Sequence, residues 1–406
     1  MSRFAALRRS LAAIGTSSPA FRFVLVIGVV SFFADMTYEG SRSIVGPYLA
    51  LLGASATAVG VVAGGGELLG YALRLVSGRF ADVTRRYWPV TIAGYVIQMA
   101  SVPALALVGS WQAAAVLIVL ERVGKAMRNP PRDAMLAHAS AEIGRGWAFG
   151  VHEALDQTGA LVGPLVAATV LAIRGDYAIA FALLAVPAVL TLLTLVVARI
   201  NYPDPTGLAA RPADLHRGGL SRTFWIYVAG AALVAAGFAD FSLMAFHYAR
   251  PGVVSGAWVP VFFAAAMGAS GIGSLLFGRL FDRRGLRVII PLTAVTALFA
   301  PLAFLGGSVL AFVGVLLWGI GMGVHESIMA AAVAEMVPSS RLASAYGLFN
   351  MIYGTAWFGG SAVIGILYDL SIPSLVAFSV IAELAAIPLF LLADRTSRGG
   401  MGAADG

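Results

Sequence analysis

From Phe21 to Ala393 the chain alternates apolar stretches of about 20 residues with short polar breaks, the length that crosses a bilayer as α-helix. Twelve such spans are predicted, at 21–50, 55–77, 88–109, 111–132, 147–172, 177–199, 223–249, 256–278, 287–306, 308–335, 344–368 and 372–393. The longest break, 200–222, contains Asn201-Tyr202-Pro203-Asp204-Pro205 and then Arg217-Gly218-Gly219. It is polar and rich in Pro and Gly, so it reads as a linker between two groups of six. The expected organisation is a basic tail at 1–20, a six-helix bundle at 21–199, the linker at 200–222, a second bundle at 223–393 and a short tail at 394–406. This is an all-α membrane protein. Arg8-Arg9 could mimic a twin-arginine signal, but Thr16, Ser17, Ser18 and Pro19 break the run behind it, so the tail reads as a cytoplasmic anchor.

Composition agrees. Hydrophobic residues are 59% of the chain and charged residues 12%, about half the charge of a soluble domain. The net charge of +7 sits in loops and helix ends rather than in a nucleic-acid-binding face. Arg79, Arg85, Arg86, Lys125, Arg128, Arg132, Arg145, Arg279, Arg283, Arg284, Arg287 and Arg341 fall on one side, and little beyond Arg174 and Arg250 on the other. By the positive-inside rule both termini are cytoplasmic, which an even number of spans requires. With no cysteine, disulfides, thiolate metal sites and cysteine nucleophiles are excluded.

The chain repeats itself. Gly78-Arg79-Phe80-Ala81-Asp82-Val83-Thr84-Arg85-Arg86 returns as Gly278-Arg279-Leu280-Phe281-Asp282-Arg283-Arg284, with Gly and Asp each 200 residues on. Phe33-Ala34-Asp35 in the first span recurs as Phe238-Ala239-Asp240 in the seventh, and Ala148-Phe149-Gly150 as Ala345-Tyr346-Gly347. The protein is therefore two copies of one membrane-embedded unit. The glycine of the motif lets two helices approach closely, and its Asp can accept bonds from an Arg or a helix N-terminus. Gly78, Asp82, Arg85, Arg86, Gly278, Asp282 and Arg283 are the expected cytoplasmic gate.

Twelve spans in two halves, with Gly-x-x-x-Asp-x-x-Arg-Arg after the second and its echo after the eighth, resemble the major facilitator superfamily of secondary transporters. The first copy carries Val83-Thr84 where that pattern has Arg and a spacer; the second copy is nearer to it. Gly159-Ala160-Leu161-Val162-Gly163-Pro164 resembles the superfamily's fifth-helix antiporter motif, with Ala167-Ala168 where a Gly pair commonly ends it. Glu121 to Ala134, and Asp35 with Glu39 followed by Pro47-Tyr48-Leu49, are similar to stretches in a large bacterial group of the superfamily. The resemblance implies alternating access, a cavity lined by helices one, four, seven and ten, and a multi-pass monomer in the bacterial cytoplasmic membrane.

Ionisable residues inside apolar spans mark the candidate site, because a charge there costs about 2.5–3.5 kcal/mol unless it is paired or hydrated. Asp35, Glu39 and Arg42 fall at i, i+4 and i+7, on one face of the first helix. Glu121 and Arg122 lie in the fourth helix, Glu153 and Asp156 in the fifth, Asp240 and His247 in the seventh, His325 and Glu326 in the tenth. Asp35 and Glu39 are the expected proton carriers, with Arg122 pairing one of them, or Glu153 or Asp156. Glu67 and Arg74 are expected to be structural. Pro130-Pro131 is expected to end the fourth helix.

The favoured function is proton-coupled antiport exporting a small organic molecule, neutral or cationic, with protons and lipid as the other partners and no cofactor. A proton-independent facilitator is one alternative. A copper importer is another: Asp240, Met244 and His247 share one helical face and Met322, His325 and Met329 another, and thioether and imidazole are soft ligands. Enzyme classes find no support. His325-Glu326-Ser327-Ile328-Met329 lacks the second His of a zinc-peptidase helix, and no phosphate-binding Gly-x-x-x-x-Gly-Lys-Ser/Thr occurs. An ion or cargo gradient must supply the energy.

Overall fold

The structure is a computed structural model that describes residues 19–143, 145–203, 220–249, 253–324, 329–337 and 342–402. Among these residues it is helical without strands. The first half comprises α1 (Pro19–Leu51), α2 (Ala56–Thr84), α3 (Tyr87–Ala104, extended by a 3-10 turn, Leu105–Leu107), α4 (Trp111–Ile143), α5 (Arg145–Arg174) and α6 (Tyr177–Leu183 and Ala185–Asn201). The second comprises α7 (Arg222–Gly237 and Phe241–Tyr248), α8 (Trp258–Arg284), α9 (Ile289–Thr296 and Phe299–Leu305), α10 (Ser308–Gly323 and Met329–Met336), α11 (Leu342–Leu370) and α12 (Ile372–Gly402). Among the described residues 9 helices are long and apolar enough to cross a membrane; α8 and α10 contribute the shorter apolar runs Trp258–Ser274 and Ser308–Gly323. The remaining span, α4, is interrupted by its own charges. Odd-numbered helices start at one face of the bundle, termed proximal, and even-numbered helices at the distal face.

The halves are built alike. In the first, α1 packs along α5 and α6 while α4 packs on α2 and α3; in the second, α7 packs on α11 and α12 while α10 packs on α8 and α9. Small residues set the closest approach. A Cβ on Gly159 or Gly163 of α5 would collide with the carbonyl oxygens of Phe32 and Met36 on α1, and one on Gly360 of α11 with that of Ala236 on α7. Only glycine lets these backbones touch. Gly159 and Gly163 of the fifth-helix motif thus hold α1 against α5, with Pro164 buried beside them.

Across the halves, α2 meets α11, α5 meets α8 and α1 meets α7. The α2–α11 seam is closed at the distal end. Asp369, in the last turn of α11, accepts bonds from the backbone N–H groups of Ala56 (3.1 Å) and Thr57 (2.9 Å) and from the Thr57 hydroxyl (2.6 Å). This is a carboxylate seated on the positive N-terminus of a helix from the other half. Gly60 and Gly64 of α2 then pack on Ser361 of α11.

Two expectations change. Residues Gly78–Thr84 and Gly278–Arg284 form the last turns of α2 and α8, not loops between spans. Nor does α4 stop at Pro130-Pro131; it runs on to Ile143. Pro130 cannot donate to the carbonyl of Ala126, but the Ser77 hydroxyl of α2 does so at 2.8 Å. The Pro130 ring sits against Gly78, whose Cβ would lie 3.2 Å from it. A neighbouring helix thus satisfies the freed carbonyl, which is how proline is tolerated inside membrane helices.

Candidate functional site

A cavity of about 290 Å³ lies between the halves. The first half supplies Tyr38, Glu39 and Arg42 from α1, Glu67, Tyr71 and Arg74 from α2, and Arg122 and Lys125 from α4; the second supplies Met322 and, from α11, Phe349, Asn350, Tyr353 and Trp357. Distal to Arg42 the space narrows to about 20 Å³ among Val45, Leu49, Val59 and Ile118, room for little more than one water. Arg42 and Arg122 line both chambers, so they stand where the wide part ends.

Arg42 joins the halves there. Its guanidinium lies 3.7 Å from Glu39 on its own helix and 3.5 Å from Asp240 on α7. All three side chains are buried. Asp240 sits where α7 is broken between Gly237 and Phe241, and its other oxygen caps the second segment by accepting from the Ser242 N–H at 2.8 Å. One carboxylate thus ends a helix break and binds a cation from the other half, and each bond orients it for the other.

Arg122 does not pair with Asp35, Glu39, Glu153 or Asp156. It binds Glu67 of α2 at 3.0 Å, sits 3.7 Å from Glu121, and stacks over Tyr38 at 4.9 Å. Glu67 therefore lines the cavity as a partner of a cavity arginine. Lys125 caps the Tyr38 ring at 3.6 Å, and Arg74 lies over Tyr71 at 5.5 Å. Glu39 and Glu67 answer Arg42 and Arg122; Lys125 lies within electrostatic reach of Asp35, Glu39 and Glu121 as well as over its ring, while Arg74 faces a ring. The cavity lining thus holds more cations (Arg42, Arg74, Arg122, Lys125) than acids (Glu39, Glu67).

A second network lies behind the first and joins it through Glu121, 3.7 Å from Arg122. Arg128, wholly buried, donates to Asp35 of α1 (3.3 Å), to Gln98 of α3 (2.6 Å) and to the Tyr95 hydroxyl (2.9 Å); Gln98 in turn donates to Glu121 (2.9 Å). Gly94 and Gly124 permit this by bringing the α3 and α4 backbones together. Arg132 donates to Ser31 (3.2 Å), which bonds His152 of α5 at 2.8 Å, and pairs with Asp133 at 2.9 Å. Asp156 lies beside Asp35, with its Oδ1 buried and without a hydrogen-bond partner.

Lys125, Arg128 and Arg132, counted from the sequence as loop charges, are thus interior residues of α4. The reason is that each finds a ring, an acid or a hydroxyl inside the bundle. Glu121, Lys125, Arg128 and Arg132 recur at i, i+4, i+7 and i+11, a helical stripe that could have shown α4 continuing past its prolines. Nothing comparable announced Tyr95, Gln98 or Asp369.

Of the other candidates, Glu153 is exposed and accepts from Gln157 on its own helix. His325 and Glu326 lie outside the described residues. Arg85, Arg86 and Arg283 are exposed at the proximal ends of α2 and α8; the side chains of Asp82, Gly278 and Asp282 lie outside those described. For the metal alternative, Met322 lines the cavity, but Met244 is buried in the second-half core and His247 is bonded to Tyr368 at 3.0 Å. Among the described residues no three His, Asp or Glu side chains converge as a metal site.

Two six-helix bundles, facing each other across a polar cavity and sealed on one side, are the architecture of a membrane transporter. A sequence model described as Major Facilitator Superfamily matches residues 27–361 and 252–400, and the chain belongs to that family. It is 43% identical over 388 residues to an uncharacterized protein of Mycobacterium tuberculosis, covering 93% of this chain and 95% of that one. In fold it matches a peptide transporter, POT, with TM-score 0.74 at 16% identity over 92% of this chain and 94% of that one. It also matches the nucleoside transporter NupG, with TM-score 0.72 at 14% identity over 91% and 100% of the two chains.

Proposed function

We propose that this transporter is a proton-coupled antiporter that exports a small organic molecule bearing an anionic group, with its proximal face in the cytoplasm. The observation that carries the reading is Arg42, held at the cavity wall between Glu39 of one half and Asp240 of the other. A proton on Glu39 removes one of the counter-charges that hold Arg42. Arg42 then shifts toward cargo or tightens on Asp240, so proton occupancy and contact between halves are linked through one cation. The anionic group is read from the four lining cations, Arg42, Arg74, Arg122 and Lys125, which outnumber Glu39 and Glu67.

Alternating access follows from the seams. The distal seam is shut by Asp369 and Ser361, while the charged ends of α2 and α8, with Arg85, Arg86 and Arg283, are exposed. In the opposite state those ends meet and the Asp369 cap opens, which is the gate role proposed for the Gly78–Arg86 and Gly278–Arg283 motifs. Cytoplasmic placement of the proximal face rests on its arginines. Export rests on the likeness of the Gly159–Pro164 motif to antiporters.

Protein in liposomes with a pH-sensitive dye inside would be challenged with benzoate, benzamide and benzylamine, and with phenyl phosphate. Proton movement driven by the anions alone is expected, lost in Glu39→Gln and needing about tenfold more anion in Lys125→Gln, a change of ~1.4 kcal/mol. Anion flux without a proton signal would leave a facilitator. A response to benzylamine alone would overturn the anionic assignment. Flux of copper alone would restore the metal reading.

A further inference from the structure

Glu383 is the one acid of the described second-half core that the cavity does not use. It sits midway along α12, fully buried, and neither carboxyl oxygen has a hydrogen-bond partner among the described residues. Its Cγ would lie 3.1 Å from a Cβ placed on Gly237, the last residue before the break in α7. One turn earlier on the same face of α12, the Ser379 hydroxyl donates to the Gly237 carbonyl at 2.6 Å. Trp318 of α10 donates to the carbonyl of Ala239 at 2.8 Å. Two carbonyls at the break are thus answered by neighbouring helices, while the acid beside them is not.

Among the described residues no counter-ion stands beside Glu383. On α9 the Thr296 hydroxyl lies next to the carboxyl but donates to the Thr293 carbonyl at 3.3 Å. The titratable and charged groups on the elements packed against α12 are engaged elsewhere or lie at the surface. On α7, Asp240 binds Arg42 and Ser242, His247 bonds Tyr368, Tyr227 donates to the Met329 carbonyl, and Arg222 is exposed. On the turn before α9, Arg287 pairs with Asp394 of α12 itself. On α11, Asp369 holds the N-terminus of α2. An ionised carboxylate so placed would carry the full cost of burying a bare charge. As the neutral acid it carries little of it.

We propose that Glu383 is a second proton-binding site, placed at the hinge of α7 in the half opposite Glu39. With its proton on, the neutral acid packs against Gly237 and the break closes over it, in the conformation seen here. When α7 and α12 part, water reaches the carboxyl; the O–H bond breaks, the proton passes to that water and a carboxylate remains. Re-protonation restores the packed state. Because the same break ends at Asp240, the partner of Arg42, the state of Glu383 biases the contact between the halves. This rests on the alternating-access reading but not on the identity of the cargo.

The test is infrared difference spectroscopy of the reconstituted protein, wild type minus Glu383→Gln, recorded from neutral to alkaline pH without cargo or gradient. The expected result is a carboxylic-acid C=O band at neutral pH that is present in wild type and absent from Glu383→Gln, which folds with an unchanged melting temperature because an amide replaces a neutral acid. Combining each chain with Asp369→Ala, which loosens the distal seam, should move the loss of that band to lower pH. Absence of the band from wild type at neutral pH would overturn the proposal, as would a collapse of Glu383→Gln. So would a band indifferent to Asp369→Ala, which would make Glu383 a fixed structural acid. The spectrum does not depend on transport, so its failure and that of the liposome assay are distinguishable.

Discussion

The two halves share one architecture and bury opposite chemistry. The first threads its interior with paired charge: Arg128 with Asp35, Arg122 with Glu67, Arg42 with Glu39. The second is filled with aromatic rings. Phe238 and Trp318 stack at 5.8 Å, Phe241 meets Phe263 at 4.5 Å, and Asp240 and Glu383 are its few buried acids. A repeat therefore preserves backbone packing while its side chains diverge. One half becomes a network of polar pairs, the other an apolar body packed around aromatic rings. Asp240 and Glu383, the exceptions on the apolar side, both lie at the break of α7.

The largest effect is expected at Arg128, which tests whether the first half depends on its pairs. Arg128→Met leaves Asp35, Tyr95 and Gln98 buried without their donor. Breaking one buried pair costs about 3–5 kcal/mol, so this variant should lose at least that much in thermal unfolding in detergent. Adding Asp35→Asn should recover part of the loss. If Arg128→Met melts like wild type, the network is not what holds that half together.

A middle-sized effect is expected where the halves are most alike. Gly163→Val and Gly360→Val each force a side chain into a backbone oxygen on the facing helix, and overpacking of this kind costs about 1–3 kcal/mol. Similar losses in melting temperature would confirm that the contacts are equivalent. The Gly163 variant alone should also depress Glu39-dependent proton movement, because it displaces α1 and with it Glu39 and Arg42.

The smallest effect concerns the residue that ends each repeated motif. Arg85 is the one non-glycine with positive φ among the described residues, at 53°, whereas its counterpart Gly285 has φ 61° and ψ −149°. Arg85→Gly removes left-handed strain but adds freedom to the unfolded chain, for a net gain of about half a kcal/mol. Gly285→Arg should cost more, since that region of backbone space belongs to glycine. Unfolding midpoints of the two variants, read side by side, check the asymmetry.

Much of this was open to sequence reasoning. The twelve spans, the two-fold repeat and the family follow from apolar run length and from Gly78–Asp82 and Gly278–Asp282, because a bilayer imposes length and composition on each helix separately. Asp35, Glu39, Arg42 and Asp240 were likewise visible as charges where charge is costly. Helical phase alone cannot say which partner each one meets. That Arg42 reaches Asp240 across the halves, that Arg128 rather than Arg122 takes Asp35, and that Asp369 caps α2 from more than 300 residues away are matters of which helices the bundle sets side by side. The course of α4 past Pro130 depended on Ser77, a hydroxyl from another helix. Glu383 stayed unnoticed for the same reason: as a letter it is one acid in an apolar run, and only its described neighbours show that no charge among them pairs with it. Each span was determined by its own residues and the membrane; the pairings, and hence the chemistry of the cavity, were decided by tertiary packing.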